Sequence, residues 1–232
     1  MPNQKIILVT ENHVILAARS QERGAKAVED LRARNPAGTV SLLQLDITSD
    51  DSIKAAVEKI TAEFGVLDAL VNNAGIVVTQ PKDRRSELLE TFNTNVASTI
   101  ILTEALVPLL QKSKDPRIIN VSSGLGSISE RTTPESPYYG VPGGAYRVSK
   151  AGLNMATANM VFEFKSWNAK VWAYCPGYVV TNLTGENDRQ NRIDSGADSS
   201  ETSAQGILEI LQGKRDSEVG KFVARFGKQY NW

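Results

Sequence analysis

Arg117-Ile118-Ile119-Asn120-Val121-Ser122-Ser123-Gly124, followed after a loop by Tyr146-Arg147-Val148-Ser149-Lys150, is the stretch on which the fold turns. The apolar run has the length and composition of a buried strand, and a helix-period segment begins near Tyr146. A hydroxyl at the strand's end then meets a tyrosine and a lysine at i and i+4, which share one helix face. These groups outline a proton-transfer site. A phenol titrates near ~10 in water, a neighbouring ammonium favours the phenolate, and the pair can exchange a proton near neutral pH. Taken alone, Tyr-x-x-x-Lys fits a core tyrosine beside a solvated lysine equally well.

Working outward, short apolar runs alternate with helix-period segments. Lys5 to Thr10, Val14 to Ala18, Val40 to Leu45, Leu67 to Val71, Arg117 to Val121, Lys170 to Tyr174 and Lys221 to Ala224 read as strands. Between them Ile53, Val57, Ile60 and Phe64 form the clearest helical stripe, followed by Val96, Ile100, Val107 and Leu110, then Leu153, Thr157, Met160 and Phe164. The alternation predicts an α/β fold, a doubly wound parallel sheet of Rossmann-like type with helices on both faces. Two stretches break the pattern: Ser127 to Gly144, rich in Pro, Gly, Ser and Thr, and Thr181 to Ser200, rich in Asn, Asp, Ser and Gly. Both follow strands, at the carboxyl edge where such sheets bind ligands, and are expected to cover a substrate.

The 232 residues suit a single domain over 1–232. Twenty-six basic and 26 acidic residues cancel, so no net field draws nucleic acid or an anionic membrane. One cysteine, Cys175, excludes an internal disulfide, and with the lone His13 it makes no metal cluster. The opening residues lead into a run too short for a signal sequence or a membrane span, so the expected location is cytoplasmic.

Further segments stand in order with the first. They are Leu70-Val71-Asn72-Asn73-Ala74-Gly75, Asn93-Thr94-Asn95-Val96 and Cys175-Pro176-Gly177-Tyr178-Val179-Val180-Thr181. From about Val14 to Trp232 the chain therefore resembles the short-chain dehydrogenase/reductase family, in its NADPH-dependent carbonyl reductase-like group. The resemblance implies an oxidoreductase moving hydride between NADP(H) and a carbonyl or secondary alcohol. Tyr146 would be the general acid/base, Ser123 would hold the substrate oxygen, and Asn95 would hold a water that relays protons. Lys150 would bind the nicotinamide ribose and lower the tyrosine pKa. Tyr138 and Tyr139, with no cation four residues on, are decoys for the acid.

For the cofactor the resemblance implies Arg19, Asp46, Asn73, Gly75, Tyr146, Lys150, Val179 and Thr181. Where NAD-preferring relatives carry an acid for the adenosine ribose, Arg19 offers a guanidinium suited to the 2′-phosphate of NADP, though an arginine at a strand-helix junction is also commonly just solvated. Asp46 resembles the residue accepting from the adenine amine and equally fits a turn. Asn73 and Gly75 would shape the strand end, with Val179 and Thr181 at the carboxamide; Val179 also suits the core. Cys175 reads as buried filler. Relatives often pair as homodimers through helices that would here span Thr94 to Lys112 and Gly144 to Lys165, though inserts in that region can block such pairing.

One region departs from that pattern. The family places a Thr-Gly-xxx-Gly-x-Gly turn and a full helix between its first two strands, whereas here only Glu11-Asn12 separates Thr10 from His13. A parallel crossover needs about a dozen residues; two suit a hairpin. Lys5 to Ala18 are therefore expected to form a continuous strand or an antiparallel hairpin, leaving one family position vacant or reversed and an apolar strip of sheet uncovered. Loss of the helix N-terminus would cost the pyrophosphate roughly 3 to 9 kcal/mol of charge-assisted hydrogen bonding. The sequence thus admits three readings: a mis-spliced gene model, a reductase with impaired NADP binding, or a non-catalytic binding or regulatory relative.

Overall fold

The computed structural model describes residues 5–10 and 13–232. Its elements follow in chain order: β1 (Lys5–Thr10), β2 (His13–Ala18), α1 (Gln21–Arg32), β3 (Thr39–Gln44), α2 (Asp50–Glu63), β4 (Ala69–Asn72) and α3 (Arg84–Phe92). A π-helical turn (Asn93–Ala97) joins α3 to α4 (Ser98–Leu110). After β5 (Arg117–Val121) come a 3-10 turn (Gly124–Gly126), α5 (Ile128–Thr132), α6 (Gly144–Glu163), β6 (Lys170–Cys175), α7 (Arg189–Asp194), α8 (Ser200–Leu211), β7 (Phe222–Ala224) and β8 (Gln229–Tyr230).

All eight strands join one sheet in the order β3-β2-β1-β4-β5-β6-β7-β8. β2 with β3, and β4 through β7, are parallel, whereas β1 pairs antiparallel with both β2 and β4. Lys5 stands opposite Ala18 and Thr10 opposite His13. The expected hairpin is thus the observed one, and the reversed position is that of β1. β2 and β4 still point the same way, because two antiparallel steps restore direction. The doubly wound parallel sheet survives around the inverted β1, with β8 added antiparallel to β7 at the far edge.

Alternation along the strands divides the core. Ile15, Leu43, Leu70, Ile118 and Val171 face a continuous apolar layer supplied by α2, α4 and α6, including Ile60, Leu106 and Met160. On the other face α1 covers Leu16 and Val40 with Val28, while Ile210 of α8 packs with Val71, Ile119 and Trp172. Whether an apolar strip of sheet is uncovered, as expected, turns on the side chains of β1, which lie outside the described residues. Its neighbours Leu16 and Val71 are buried. Caps follow the sequence: Ser20 and Ser49 accept the amides of Arg23 and Ser52 at the starts of α1 and α2. The strand expected at Leu67 to Val71 begins at Ala69 instead. Leu67 is buried, but its amide is used by Leu109 O, so it serves as core without joining the ladder.

A buried polar bridge crosses the layers. Asn72 Nδ2 donates to Asn120 Oδ1 (2.8 Å) and to Thr103 Oγ1 (2.9 Å), and Asn120 Nδ2 donates to Thr157 Oγ1 (2.9 Å). β4, β5, α4 and α6 are thereby locked in one register. At the opposite end of the sheet Arg117 and Lys170, which begin adjacent strands, share Asp115 and Asp216. The hydrogen bond from Arg117 pulls the Asp216 carboxyl down to about 2.

That depressed folded pKa contributes stability fully present above the unfolded value of ~3.9 and lost as pH falls toward about 2. Asp216→Asn should lower stability near neutral pH and flatten the acid limb between about pH 4 and about pH 2. Urea melts across that range test it, and an unchanged acid limb would remove Asp216 as its source.

Candidate active site

β4, β5 and β6 end at the same edge, and the chain beyond β5 builds the site. Ser122 is buried and donates to Asn154 Oδ1 of α6 at 2.5 Å. Ser123 caps the 3-10 turn, its Oγ accepting Leu125 N–H at 3.2 Å. Only glycine fits at 126, because a methyl there would stand 2.6 Å from the Lys150 carbonyl carbon. The turn therefore lies flat on α6. That helix starts after Gly143, at φ 102° in the left-handed region.

The structure brings Ser123, Tyr146 and Lys150 together. Ser123 stands near enough to the Tyr146 phenol to favour its ionised form, and Lys150 Nζ lies 5.6 Å from the Tyr146 ring centre. Burial raises the phenol's pKa above its ordinary value; the neighbouring Cys175 adds to the rise, while Ser123 and the Arg192 guanidinium oppose it. Lys150 is 4% exposed, and desolvation pulls its ammonium down to about 8. One of its protons goes to Val121 O at 2.8 Å, which leaves two donors for a ligand.

Asn95 sits in the π-helical turn, a geometry frequent at functional sites. Its Oδ1 accepts Ile76 N–H at 2.7 Å, and its Nδ2 donates to Ile76 O and Ser149 Oγ, both at 3.0 Å. This clamps the main chain after β4 beside the lysine. Gly75 is the point of closest approach: a methyl there would stand 3.4 Å from Asn95 Oδ1 and 3.5 Å from Lys150 Nζ.

The other expected residues lie along the same edge. Asn73 is exposed, with its amide on Val71 O. Arg19 is half-buried between β2 and α1. Asp46 behaves as a turn former, Oδ1 accepting both the amide and the hydroxyl of Thr48. Val179 is buried; it bridges to Asp198, and its carbonyl accepts Arg192 Nε. Thr181 Oγ1 accepts Leu183 N–H at 3.4 Å.

Two contributors had no sequence signal. Cys175 is more than filler, because its Sγ accepts the amides of Gly124 (3.1 Å) and Gly177 (3.4 Å), linking the serine turn to the turn after β6. Burial pushes that thiol up. Arg192, from the loop-borne α7, is 8% exposed and near enough to Tyr146 to favour the phenolate.

Residues 6–192 match a family model described as short chain dehydrogenase. A short-chain dehydrogenase/reductase of a Phoma species is 34% identical over 89% of this chain and 82% of its own length. One from Aspergillus fumigatus is 42% identical over 64% of this chain, which spans only 58% of that relative. Among solved structures, the carbonyl reductase Sniffer of D. melanogaster superposes with a TM-score of 0.77 at 30% identity, over 95% of this chain and 88% of that one. An NADPH-bound carbonyl reductase from chicken fatty liver gives 0.74 at 26% identity, over 92% and 84%.

Because Lys150 titrates lower folded than unfolded, the unfolded chain binds more protons between about 8 and the ordinary ~10.4, and stability rises with pH over that window. Relative to Lys150→Met, the wild type should gain up to about 3 kcal/mol from about pH 8 to about pH 10. Parallel pH dependences in urea melts would contradict the buried ammonium.

Proposed function

Since this chain belongs to the short-chain dehydrogenase family, an oxidoreductase family, we propose that it reduces a carbonyl compound with NADPH, or oxidises the corresponding secondary alcohol with NADP, using Tyr146 as the acid/base. The observation carrying this reading is the meeting of Ser123 with the Tyr146 phenol and the Lys150 ammonium beside the same ring. A bound nicotinamide would supply or accept the hydride. Tyr146 gives its phenolic proton to the oxygen that gains charge, and Ser123 holds that oxygen where the charge develops. Lys150 directs its remaining donors to the ribose hydroxyls. Asn95 fixes the strip of main chain facing Nζ, and its Oδ1 keeps one acceptor position for a relay water.

The residues fit a cofactor unevenly. At the ribose end, bare main chain at Gly75 lies beside an ammonium with donors to spare, as a polar ligand requires. At the diphosphate end the fit fails: β1 and β2 are hairpin partners, with no glycine between Thr10 and His13. That observation favours a second reading, a cofactor-impaired or non-catalytic member. Arg19, Asp46, Asn73, Val179 and Thr181 complete the cofactor set in our reading, and the NADPH held by the chicken liver relative supports the phosphorylated form.

Two further parts of the proposal concern assembly and place. Ile101, Met155 and Phe162 are exposed on α4 and α6, which supports a homodimer through these helices. Among the described residues no helix is long and apolar enough to cross a membrane. A cytoplasmic site of action remains our reading from the lone cysteine.

Titrating purified protein with NADPH while following tryptophan fluorescence decides between the two functional readings. Saturation below millimolar cofactor, with turnover that Tyr146→Phe lowers by about a hundredfold or more at unchanged melting temperature, is expected. A stable, fully active Tyr146→Phe enzyme would overturn the acid, and silence to millimolar NADPH would favour the impaired form. Arg19→Ala should weaken NADPH about tenfold while leaving NADH unaffected; equal losses for both would refute the 2′-phosphate contact.

A further inference from the structure

Tyr138, in the loop between α5 and α6, is held from every side. Its amide donates to Ser136 Oγ (3.0 Å) and its carbonyl accepts Arg147 Nη1 (3.0 Å). Arg147 is 8% exposed, and among the described residues it has no carboxylate partner. With Arg131 it donates to Val141 O, so two guanidinium groups fasten the loop carbonyls to the body of the protein. The Tyr138 ring lies over Gly124, where a methyl would stand 2.9 Å from two ring carbons. Its hydroxyl meets that of Tyr230 at 2.9 Å.

Tyr230 belongs to a segment that is itself anchored. Ser127 Oγ donates to Asn231 O (2.6 Å), Ser129 N donates to Trp232 O (3.2 Å), and the Trp232 ring stacks on Phe222 at 5.6 Å. Tyr230 also stands near enough to the Cys175 thiol to favour its ionised form, and Cys175 Sγ accepts Gly124 N–H. With Tyr138 donating to Tyr230, the Tyr230 proton is left to turn toward Sγ. The contacts close a ring: Gly124, Tyr138, Tyr230, Cys175 and back to Gly124.

This ring encloses the residue next to Ser123. We propose that Tyr138 and Tyr230 are positioning residues, which clamp the Gly124 turn so that the Ser123 hydroxyl faces Tyr146. The proposal rests on the reductase reading above. Ser123 Oγ caps the very turn that the clamp holds, so a tilt of Gly124 breaks the cap and carries the serine hydroxyl away from Tyr146. Displacements well under ~1 Å matter for such a donor. Tyr146 is otherwise faced by Lys150 from its own helix, Cys175 from β6 and Arg192 from α7, none of which replaces the serine hydroxyl.

The test uses Tyr138→Phe, Tyr230→Phe and the double variant of the full chain, with two readouts. In turnover, each single variant should lower kcat about two- to tenfold, the range one neutral hydrogen bond supplies, with KM for NADPH unchanged. The double should be no worse than the poorer single, and the rising limb of the pH profile for alcohol oxidation, where Tyr146 acts as base, should move to higher pH as the phenol loses its serine. In the second readout, Cys175, the one cysteine of the chain, is labelled with a chromogenic aryl disulfide, and Tyr230→Phe should react about fivefold faster or more. An unchanged labelling rate would overturn the clamp. Faster labelling with wild-type kcat and pH profile would overturn the positioning role. Absence of wild-type turnover would remove the reductase reading and the positioning role with it, while labelling still reports on the clamp.

Discussion

The bridge from Asn72 through Asn120 to Thr157 sets the frame for everything at the functional edge. It is buried and joins β4 to β5, then β5 to α6, with Thr103 of α4 attached. Leaving one such group unpaired inside the core costs about 1–3 kcal/mol, so the register of these four elements is tightly specified. Thr157 lies three turns along the helix from Tyr146. A bridge that fixes the roll of α6 therefore also fixes where the phenol and the ammonium emerge.

From that frame the site is assembled by main chain as much as by side chains. Lys150 is oriented by the Val121 carbonyl, Asn95 by the amide and carbonyl of Ile76, and Cys175 by two amides. Main-chain partners have fixed positions once the sheet is formed, which gives these groups preorganised directions. The ion pairs at the opposite end, around Arg117 and Asp216, hold the starts of β5 and β6 level, so that their far ends reach Ser123 and Cys175 together.

Much of this was legible in the sequence because it is written in local pattern. Apolar runs gave the strands, the i and i+4 spacing gave the shared face of Tyr146 and Lys150, and two intervening residues ruled out a parallel crossover between Thr10 and His13. What stayed hidden depends on distant chain segments meeting. Nothing near Cys175 signals that its sulfur will accept amides from two turns, and nothing near Tyr138 announces Tyr230. Leu67 shows the other limit: an apolar residue leading into a strand has the same sequence signature as one inside it, and only the ladder separates them. The π-helical turn at Asn93–Ala97 likewise has no residue signature of its own.

The inversion of β1 exchanges the ends of that strand. Lys5 stands beside Ala18, next to Arg19, at the carboxyl edge of the sheet, and Thr10 lies at the far side. The end of β1, where a phosphate-binding turn would start, therefore stands at the edge away from the site, and the amino end of the strand occupies the edge where the site is built.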